Sequence, residues 1–249
     1  MWTDTHCHIF SSEYDNVDEI LSNLETYDLK RIIINGYNYE TNQEVLKLVK
    51  KYPNVYGAIG LQPSEIEDAD RIIKQIKENI NESRIVAVGE IGLDYYWTKD
   101  NHEKQKEVFK EVLNIAKENN KPVIIHNRES TGDMLSILKE HNLKGIMHCF
   151  SGSYETAQEF IKLGYKLGIG GILTFKNSNL PKTLENIPIS SLVLETDCPY
   201  ITPEPHRMER NEPKYIAFTA KKMAETYNIS EAELAEILEE NICQILTFC

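Results

Sequence analysis

Short apolar runs rich in β-branched residues recur at 2–6, 31–35, 55–61, 85–90, 122–126, 145–149, 166–170 and 191–196. Their length and residue types suit strands buried on both faces. The longer charged stretches between them carry apolar residues at helical spacing, as in Val45, Leu48 and Val49, or Val108, Val112, Leu113 and Ala116. Such positions fall on one face of a helix. A strand followed by a helix, repeated through eight strands, predicts a parallel sheet that closes into a (β/α)8 TIM barrel. An open, doubly wound sheet is the alternative with the same element order. After the last run, Pro199, Pro203, Pro205 and Pro213 predict an extended, stiff loop, because proline fixes φ and removes a backbone donor. Extra C-terminal helices are predicted near 214–227 and 231–246. The second begins at Ser230 with Glu233 three residues later, a capping-box pattern. A barrel of this kind fits in 249 residues, so 1–249 reads as a single domain.

The ends of these runs carry the candidate chemistry: His6 and His8, Glu90, His126, His148 and Asp197. A parallel barrel gathers strand ends from the whole chain onto one rim, where ligands distant in sequence meet. His6 and His8, two positions apart, face the same side of their strand. Glu90 ends an apolar run in which a lone carboxylate costs several kcal/mol to bury unless it is paired or bound to a cation. Each has a plainer reading as well: a packed histidine, a cross-barrel salt bridge for Glu90, a turn cap for Asp197. Taken together, all six fall at the same end of successive strands, with residues such as Val88 and Ile124 filling the core beneath them. Imidazole and carboxylate donors suit zinc or manganese, and partial oxygen coordination admits magnesium. Four histidines and two carboxylates exceed the needs of one tetrahedral ion, whereas two divalent metal ions bridged by one carboxylate use them all. Glu90 is the expected bridge, with His6, His8 and Asp197 on one ion and His126 and His148 on the other. Such a centre activates water, so the predicted activity is metal-dependent hydrolysis, with Glu90 and Asp197 as the catalytic carboxylates.

Charge narrows the choice of partner. With 27 basic and 39 acidic residues the net charge is −12, which argues against broad electrostatic binding to duplex DNA or anionic membrane. A nucleic-acid substrate needs local cations at the site. The chain enters a strand pattern directly after Met1, leaving no room for a signal peptide, and no apolar run is long enough to span a bilayer. A cytoplasmic location is expected. Five cysteines without a CxxC pair read as reduced thiols, with Cys7 pointing away from the face shared by His6 and His8.

Several segments resemble the TatD family of metal-dependent deoxyribonucleases, within the wider amidohydrolase-like barrels. They are Asp4-Thr5-His6-Cys7-His8, Gly89-Glu90-Ile91-Gly92-Leu93-Asp94-Tyr95-Tyr96, His126-Asn127-Arg128, His148-Cys149-Phe150-Ser151-Gly152, Leu194-Glu195-Thr196-Asp197-Cys198-Pro199 and Arg210-Asn211-Glu212-Pro213. Their order matches the family, and they span nearly the whole chain. The resemblance implies a divalent-metal site at the positions above and hydrolysis of DNA, often from the 3′ end of a single strand. One position departs: where the family carries Gly-x-His-Pro, this chain has Gly60-Leu61-Gln62-Pro63. Gln62 donates and accepts through its amide but cannot serve as an ionisable proton shuttle.

The expected substrate contacts are Arg128, Gln62, Tyr95, Arg207 and Arg210. Arg128 follows His126 by two residues, where a guanidinium grips phosphate bidentately. Arg207 and Arg210, with His206, stand in the proline-rich loop, and Lys99 and Lys176 follow other strand ends. Tyr95, with Tyr96 and Trp97, offers rings for stacking on unpaired bases. Asp94 and Glu195 read as residues that orient ligands from behind. The same activated water also attacks carbonyls, so amide, ester or lactone hydrolysis, including aminoacyl-tRNA deacylation, is the alternative activity. A catalytically retired barrel that binds nucleic acid or protein is a further one.

Overall fold

The computed structural model describes residues 1–97 and 100–248. Its strands are β1 (Trp2–Cys7), β2 (Leu29–Asn35), β3 (Val55–Leu61), β4 (Ile85–Asp94), β5 (Val123–Arg128), β6 (Gly145–Met147), β7 (Tyr165–Ile169) and β8 (Leu192–Leu194). Between and after them run α1 (Val17–Ser22), α2 (Tyr39–Lys51), α3 (Ala69–Asn79), α4 (His102–Glu118), α5 (Thr131–His141), α6 (Tyr154–Lys162), α7 (Leu180–Leu184), α8 (Ile216–Tyr227) and α9 (Glu231–Cys243). The strands pair in parallel, in sequence order from β1 to β8. A doubly wound sheet reverses its order at a switch point, so this order rules that alternative out and leaves the predicted (β/α)8 TIM barrel.

The seam between β8 and β1 is held by a short set of bonds. Thr5 Oγ1 donates to the Leu194 carbonyl (3.0 Å), Asp197 N–H to the His6 carbonyl (2.9 Å), and His8 N–H to the Cys198 carbonyl (2.7 Å). The buried Asp4 carboxylate accepts from Thr196 N–H (3.0 Å) and Thr196 Oγ1 (2.6 Å). Barrel closure and the placement of His6, His8 and Asp197 therefore depend on one set of contacts.

Helix formation follows the apolar stripes. In α2 the buried face includes Val45, Leu48 and Val49, and Asn38 caps its start by accepting from Thr41 N–H while Thr41 Oγ1 accepts from Asn38 N–H. In α4 the buried face holds Phe109, Val112, Leu113 and Ala116. Ser230 caps α9 by accepting from Glu233 N–H. Inside the barrel Ile33, Ala58, Val86, Ile124, Ile146 and Val193 form a separate cluster, closed by Ile242 and Leu246 after the last strand. Ile124 takes its expected place beneath the site. Val88 instead packs with the larger cluster, because β4 shifts register against both neighbours between Val88 and Ile91. Among the described residues, no helix is long and apolar enough to cross a membrane.

Some strand ends differ from the sequence pattern. β6 stops at Met147 and Cys149 takes φ 50°, which directs the chain out of the sheet. β8 stops at Leu194, and Asp197 takes φ 55°. Left-handed conformations at residues other than glycine are uncommon and cluster at functional sites. Here both lie in the segments that carry His148 and Asp197.

Candidate metal centre

Strand alternation positions the inward side chains. Asn35, His126, His148 and Glu195 stand two residues beyond Ile33, Ile124, Ile146 and Val193 of the interior cluster, so each rises on the same face above its apolar neighbour. At Gly60, two beyond Ala58, a Cβ would stand 2.3 Å from the Glu90 carbonyl oxygen and 2.4 Å from Glu90 N. The absent side chain lets β4 approach closely where it turns Glu90 into the barrel.

The six expected ligand side chains converge. His6 Nε2 and His8 Nε2 are 3.1 Å apart. Glu90 Oε2 lies 3.6 Å from the first and 3.4 Å from the second, and Asp197 Oδ1 lies 3.6 Å from each. The other Glu90 oxygen, Oε1, lies 3.0 Å from His126 Nδ1 and 3.2 Å from His148 Nε2, which are 3.2 Å from one another. Donors bound at about 2.1 Å around one ion stand roughly 3.0–3.4 Å apart. His6, His8 and Glu90, and likewise Glu90, His126 and His148, stand close enough to hold a cation, and His6, His148 and Asp197 form a third such set that spans the two.

Electrostatics favour ionised carboxylates and set His6 apart from the other three imidazoles. Burial and the neighbouring His148 push His6 down to about 3, so it is uncharged at neutral pH. Burial works to raise Glu90, but His148, His126 and His6 outweigh it and hold the carboxyl well below its usual range. Burial likewise opposes ionisation of Asp197, and the bond from His8 with the charges of His148 and His6 prevails. His8, His126 and His148 are raised despite burial because they face these carboxylates. Without a cation the anionic pair favours the protonated form of these three imidazoles, while His6 stays neutral.

Partners behind the ligands fix ring orientation. His8 Nδ1 lies 2.8 Å from the Asn35 carbonyl, leaving Nε2 to face inward. His126 Nε2 lies 2.9 Å from Asp94 Oδ2, and Asp94 also accepts from the N–H groups of Tyr96 and Trp97. His148 Nδ1 faces Glu195 Oε1 at 3.6 Å. Cys7 turns away from the imidazole face, its thiol 3.4 Å from the Ile33 carbonyl. Cys7, Cys149, Cys198 and Cys243 are free thiols, and Cys249 lies outside the described residues.

The expected substrate contacts separate. Arg128 lines a cavity of about 290 Å³ with His126, His148 and Asp197, and its guanidinium lies 4.2 Å from the Tyr96 ring and 5.4 Å from the Trp97 ring. Gln62 Nε2 lies 3.4 Å from Glu90 Oε1. Tyr95 does not take the position expected of it. Its ring stacks on His102 at 3.7 Å and its hydroxyl donates to Asp133 (2.6 Å), so face and tip are engaged inside the protein. The rings turned to solvent are Tyr96 and Trp97, 41% and 70% exposed. Arg207 lies over the Phe175 ring (3.6 Å) and donates to the Thr202 carbonyl, while Arg210 donates to the Glu13 carbonyl near Tyr14. These contacts tie the proline-rich loop to its neighbours. Lys176 is exposed, and Lys99 lies outside the described residues.

Two tyrosines flank the centre that sequence reasoning missed. Tyr37 meets the His8 ring edge-on at 5.5 Å, and Tyr200 approaches it at 6.1 Å. Both follow strand ends, where the other site residues were sought, but nothing in residue type separates them from packing tyrosines. Asn211, in the Arg210-Asn211-Glu212-Pro213 segment, donates to the carbonyls of Thr196 (2.8 Å) and Tyr200 (2.6 Å) and so braces the loop that carries Asp197.

Comparison with known proteins agrees with this geometry. A family model described as TatD related DNase matches residues 3–247. An uncharacterized metal-dependent hydrolase of Bacillus subtilis, YabD, is 40% identical over 97% of each chain. Another from Escherichia coli, YcfH, is 32% identical over 97% of this chain and 94% of its own. The crystal structure of YjjV, a TatD homologue from Escherichia coli, superposes with a TM-score of 0.91 at 31% identity, covering 98% of this chain and 97% of its own. With the fold, the clustered donors and these relatives in agreement, the chain belongs to the TatD-related DNase family of metal-dependent hydrolases.

Proposed function

We propose that this enzyme hydrolyses DNA phosphodiester bonds as a 3′–5′ exodeoxyribonuclease on single-stranded ends, with two divalent cations (Mg, Mn or Zn) at the centre described above. The observation that carries the reading is the division of Glu90. Its Oε2 faces His6 and His8, and its Oε1 faces His126 and His148. In this reading His6, His8, Asp197 and Glu90 hold one ion, and Glu90, His126 and His148 hold the other. Two such ions supply a nucleophile at neutral pH and neutralise charge that develops on the phosphate and leaving oxygen.

The chain's own groups do the rest. Glu90 fixes the separation of the two donor sets. Asp197, ionised and on the cavity wall, orients the attacking water and takes its proton. Arg128 on the same wall holds a phosphate oxygen, a task suited to a guanidinium fork. Tyr96 and Trp97, exposed and beside Arg128, receive unpaired bases by stacking. On a chain of net charge −12, these local contacts and the cations carry affinity for a polyanion.

Gln62 supports a second reading. It puts a neutral amide beside Glu90, a hydrogen-bond donor for the carbonyl oxygen of an ester, amide or aminoacyl-tRNA, whose acyl group the same activated water would accept. A time course on end-labelled single- and double-stranded oligonucleotides, under Mg²⁺, Mn²⁺ and Zn²⁺ in turn, tests the choice beside ester and aminoacyl-tRNA substrates. Stepwise shortening from the 3′ end of single strands is the expected result. Carbonyl turnover that far exceeds DNA turnover would replace the first reading with the second.

A further inference from the structure

The two halves of the centre are built differently, and the difference lies behind the ligands. One half has four protein donors: His6, His8, Asp197 and Glu90 Oε2. Its imidazoles are backed by uncharged surroundings, since His8 Nδ1 faces the Asn35 carbonyl and the buried His6 Nδ1 has no hydrogen-bond partner. The other half has three donors, Glu90 Oε1, His126 and His148. Each of its imidazoles is backed by a carboxylate, Asp94 behind His126 at 2.9 Å and Glu195 behind His148 at 3.6 Å.

Both carboxylates are built in. Glu195 is fully buried, and its Oε1 accepts from Cys149 N–H at 2.6 Å. Its Oε2 and the facing His148 Nδ1 are buried without a hydrogen-bond partner. A glycine makes room for it: a Cβ on Gly168 would stand 2.0 Å from Glu195 Oε2. Asp94 ends β4, and the backbone N–H groups of the following turn converge on its Oδ1, which leaves Oδ2 for His126. Burying an acid against an unfilled imidazole nitrogen is costly in isolation. A dication on the far side of the ring offsets that cost, because a carboxylate behind an imidazole raises its basicity and fixes its tautomer.

We propose that Asp94 and Glu195 are positioning residues that set the affinity of the three-donor half for its ion. The centre is then asymmetric, with a firmly held ion between His6, His8 and Asp197 and an exchangeable one between His126 and His148. This rests on the two-ion reading above. The four-donor half supplies two carboxylates in contact with its ion, whereas the three-donor half supplies one shared carboxylate and draws the remaining negative charge from Asp94 and Glu195 through the rings. The cavity lined by Arg128 borders His126 and His148 of this half and Asp197 of the other, so water and substrate would reach both.

The test is Mn²⁺ titration of the metal-stripped full-length protein by calorimetry, with electron paramagnetic resonance to tell isolated from coupled ions. Wild type is expected to bind in two steps of unequal affinity and to show a coupled pair at saturation. Glu195→Gln keeps an acceptor for Cys149 N–H but removes the charge, and Asp94→Asn does the same behind His126. Each should weaken the second step by about 10–100-fold and leave the first unchanged, so that isolated Mn²⁺ persists at concentrations that pair the wild type. Equal weakening of both steps, or no change in either, would overturn the proposal. Wild type that binds a single Mn²⁺ would remove the two-ion reading and this proposal with it, whereas two normal steps with no DNA cleavage would leave it standing. Should buried Glu195→Gln fail to fold, Asp94→Asn decides the matter alone, because Asp94 ends its strand beside a solvent-facing turn.

Discussion

Gln62 Nε2 lies 3.4 Å from Glu90 Oε1, on the oxygen that also faces His126 and His148. An amide here donates a hydrogen bond and carries no titratable proton. Gln62→His would place an ionisable group at the same edge. The expected outcome is a roughly tenfold or greater rise in kcat on DNA, with a new limb near pH 6–7 in the rate profile, within the range of general acid–base effects. Unchanged rate, profile and substrate preference would make Gln62 a neutral replacement.

Glu90 faces both donor sets, so its loss removes more than one ligand. Glu90→Ala should abolish turnover, by at least about 10³-fold, and lower bound metal from two equivalents to one or none. Asp197→Asn retains a side chain that tolerates the φ of 55° and removes the proton acceptor. It should cut kcat by about 10²–10⁴-fold with circular dichroism unchanged. Full activity in either variant rejects the assigned role.

The titration of the centre predicts how stability of the metal-free protein varies with pH. His8, His126 and His148 have raised folded pKa values. Their stabilisation is complete below the unfolded value near 6.5 and is lost as pH rises through the folded values. Asp4, pushed up to about 7 by burial, changes stability in the same sense between its unfolded value and 7. Glu90 and Asp197 are depressed, so their contribution is lost only in acid. His6, lowered to about 3 by burial, costs stability as pH falls below 6.5. Chelator-treated protein should therefore lose Tm as pH rises above 6.5. Added Mn²⁺ or Zn²⁺ should raise Tm more at higher pH, because binding requires deprotonated imidazoles. At a hundredfold excess over Kd each ion adds about 2.7 kcal/mol, or roughly 5–10 °C. A metal-induced gain that shrinks as pH rises would contradict the assignment.

At Gly60 the backbone of β4 around Glu90 leaves no room for a side chain. Gly60→Ala would force its methyl into backbone atoms of Glu90, which a rotamer change cannot relieve. The expected cost is about 1–3 kcal/mol in urea unfolding, with weaker metal binding because Glu90 is displaced. A stable variant with normal metal affinity would show that β4 relaxes around the methyl.

Arg128, Tyr96 and Trp97 form an exposed cation–aromatic group beside the cavity. Trp97→Ala should raise KM for single-stranded oligonucleotides by the equivalent of about 1–3 kcal/mol, with turnover of a small phosphodiester unchanged. Arg128→Ala should weaken DNA binding and flatten its dependence on salt by about one phosphate contact. Equal loss on the small substrate would assign these residues to the shape of the centre instead.

The recurrence of apolar runs and the helical stripes between them are local properties of the chain, so the barrel was legible before any contact was known. Convergence of His6, His8, Glu90, His126, His148 and Asp197 was legible for a related reason: parallel closure brings equivalent strand ends to one rim. Asn35 was invisible because it acts through a backbone carbonyl, which every residue possesses. Tyr95 read as a stacking ring from its neighbours in sequence, yet the turn after β4 directs it onto His102 and presents Tyr96 and Trp97 instead.

What the sequence determined by itself is the identity of the candidate donors and the strands in or just beyond which they lie, because residue type and period are written along the chain. Only the tertiary structure decided that Glu90 Oε2 serves one donor set and Oε1 the other, that Asp94 and Glu195 stand behind one set alone, and that Asp4 joins Thr196 across the seam. Those relations depend on ångström-scale separations between side chains far apart in sequence, and packing of the closed barrel sets them.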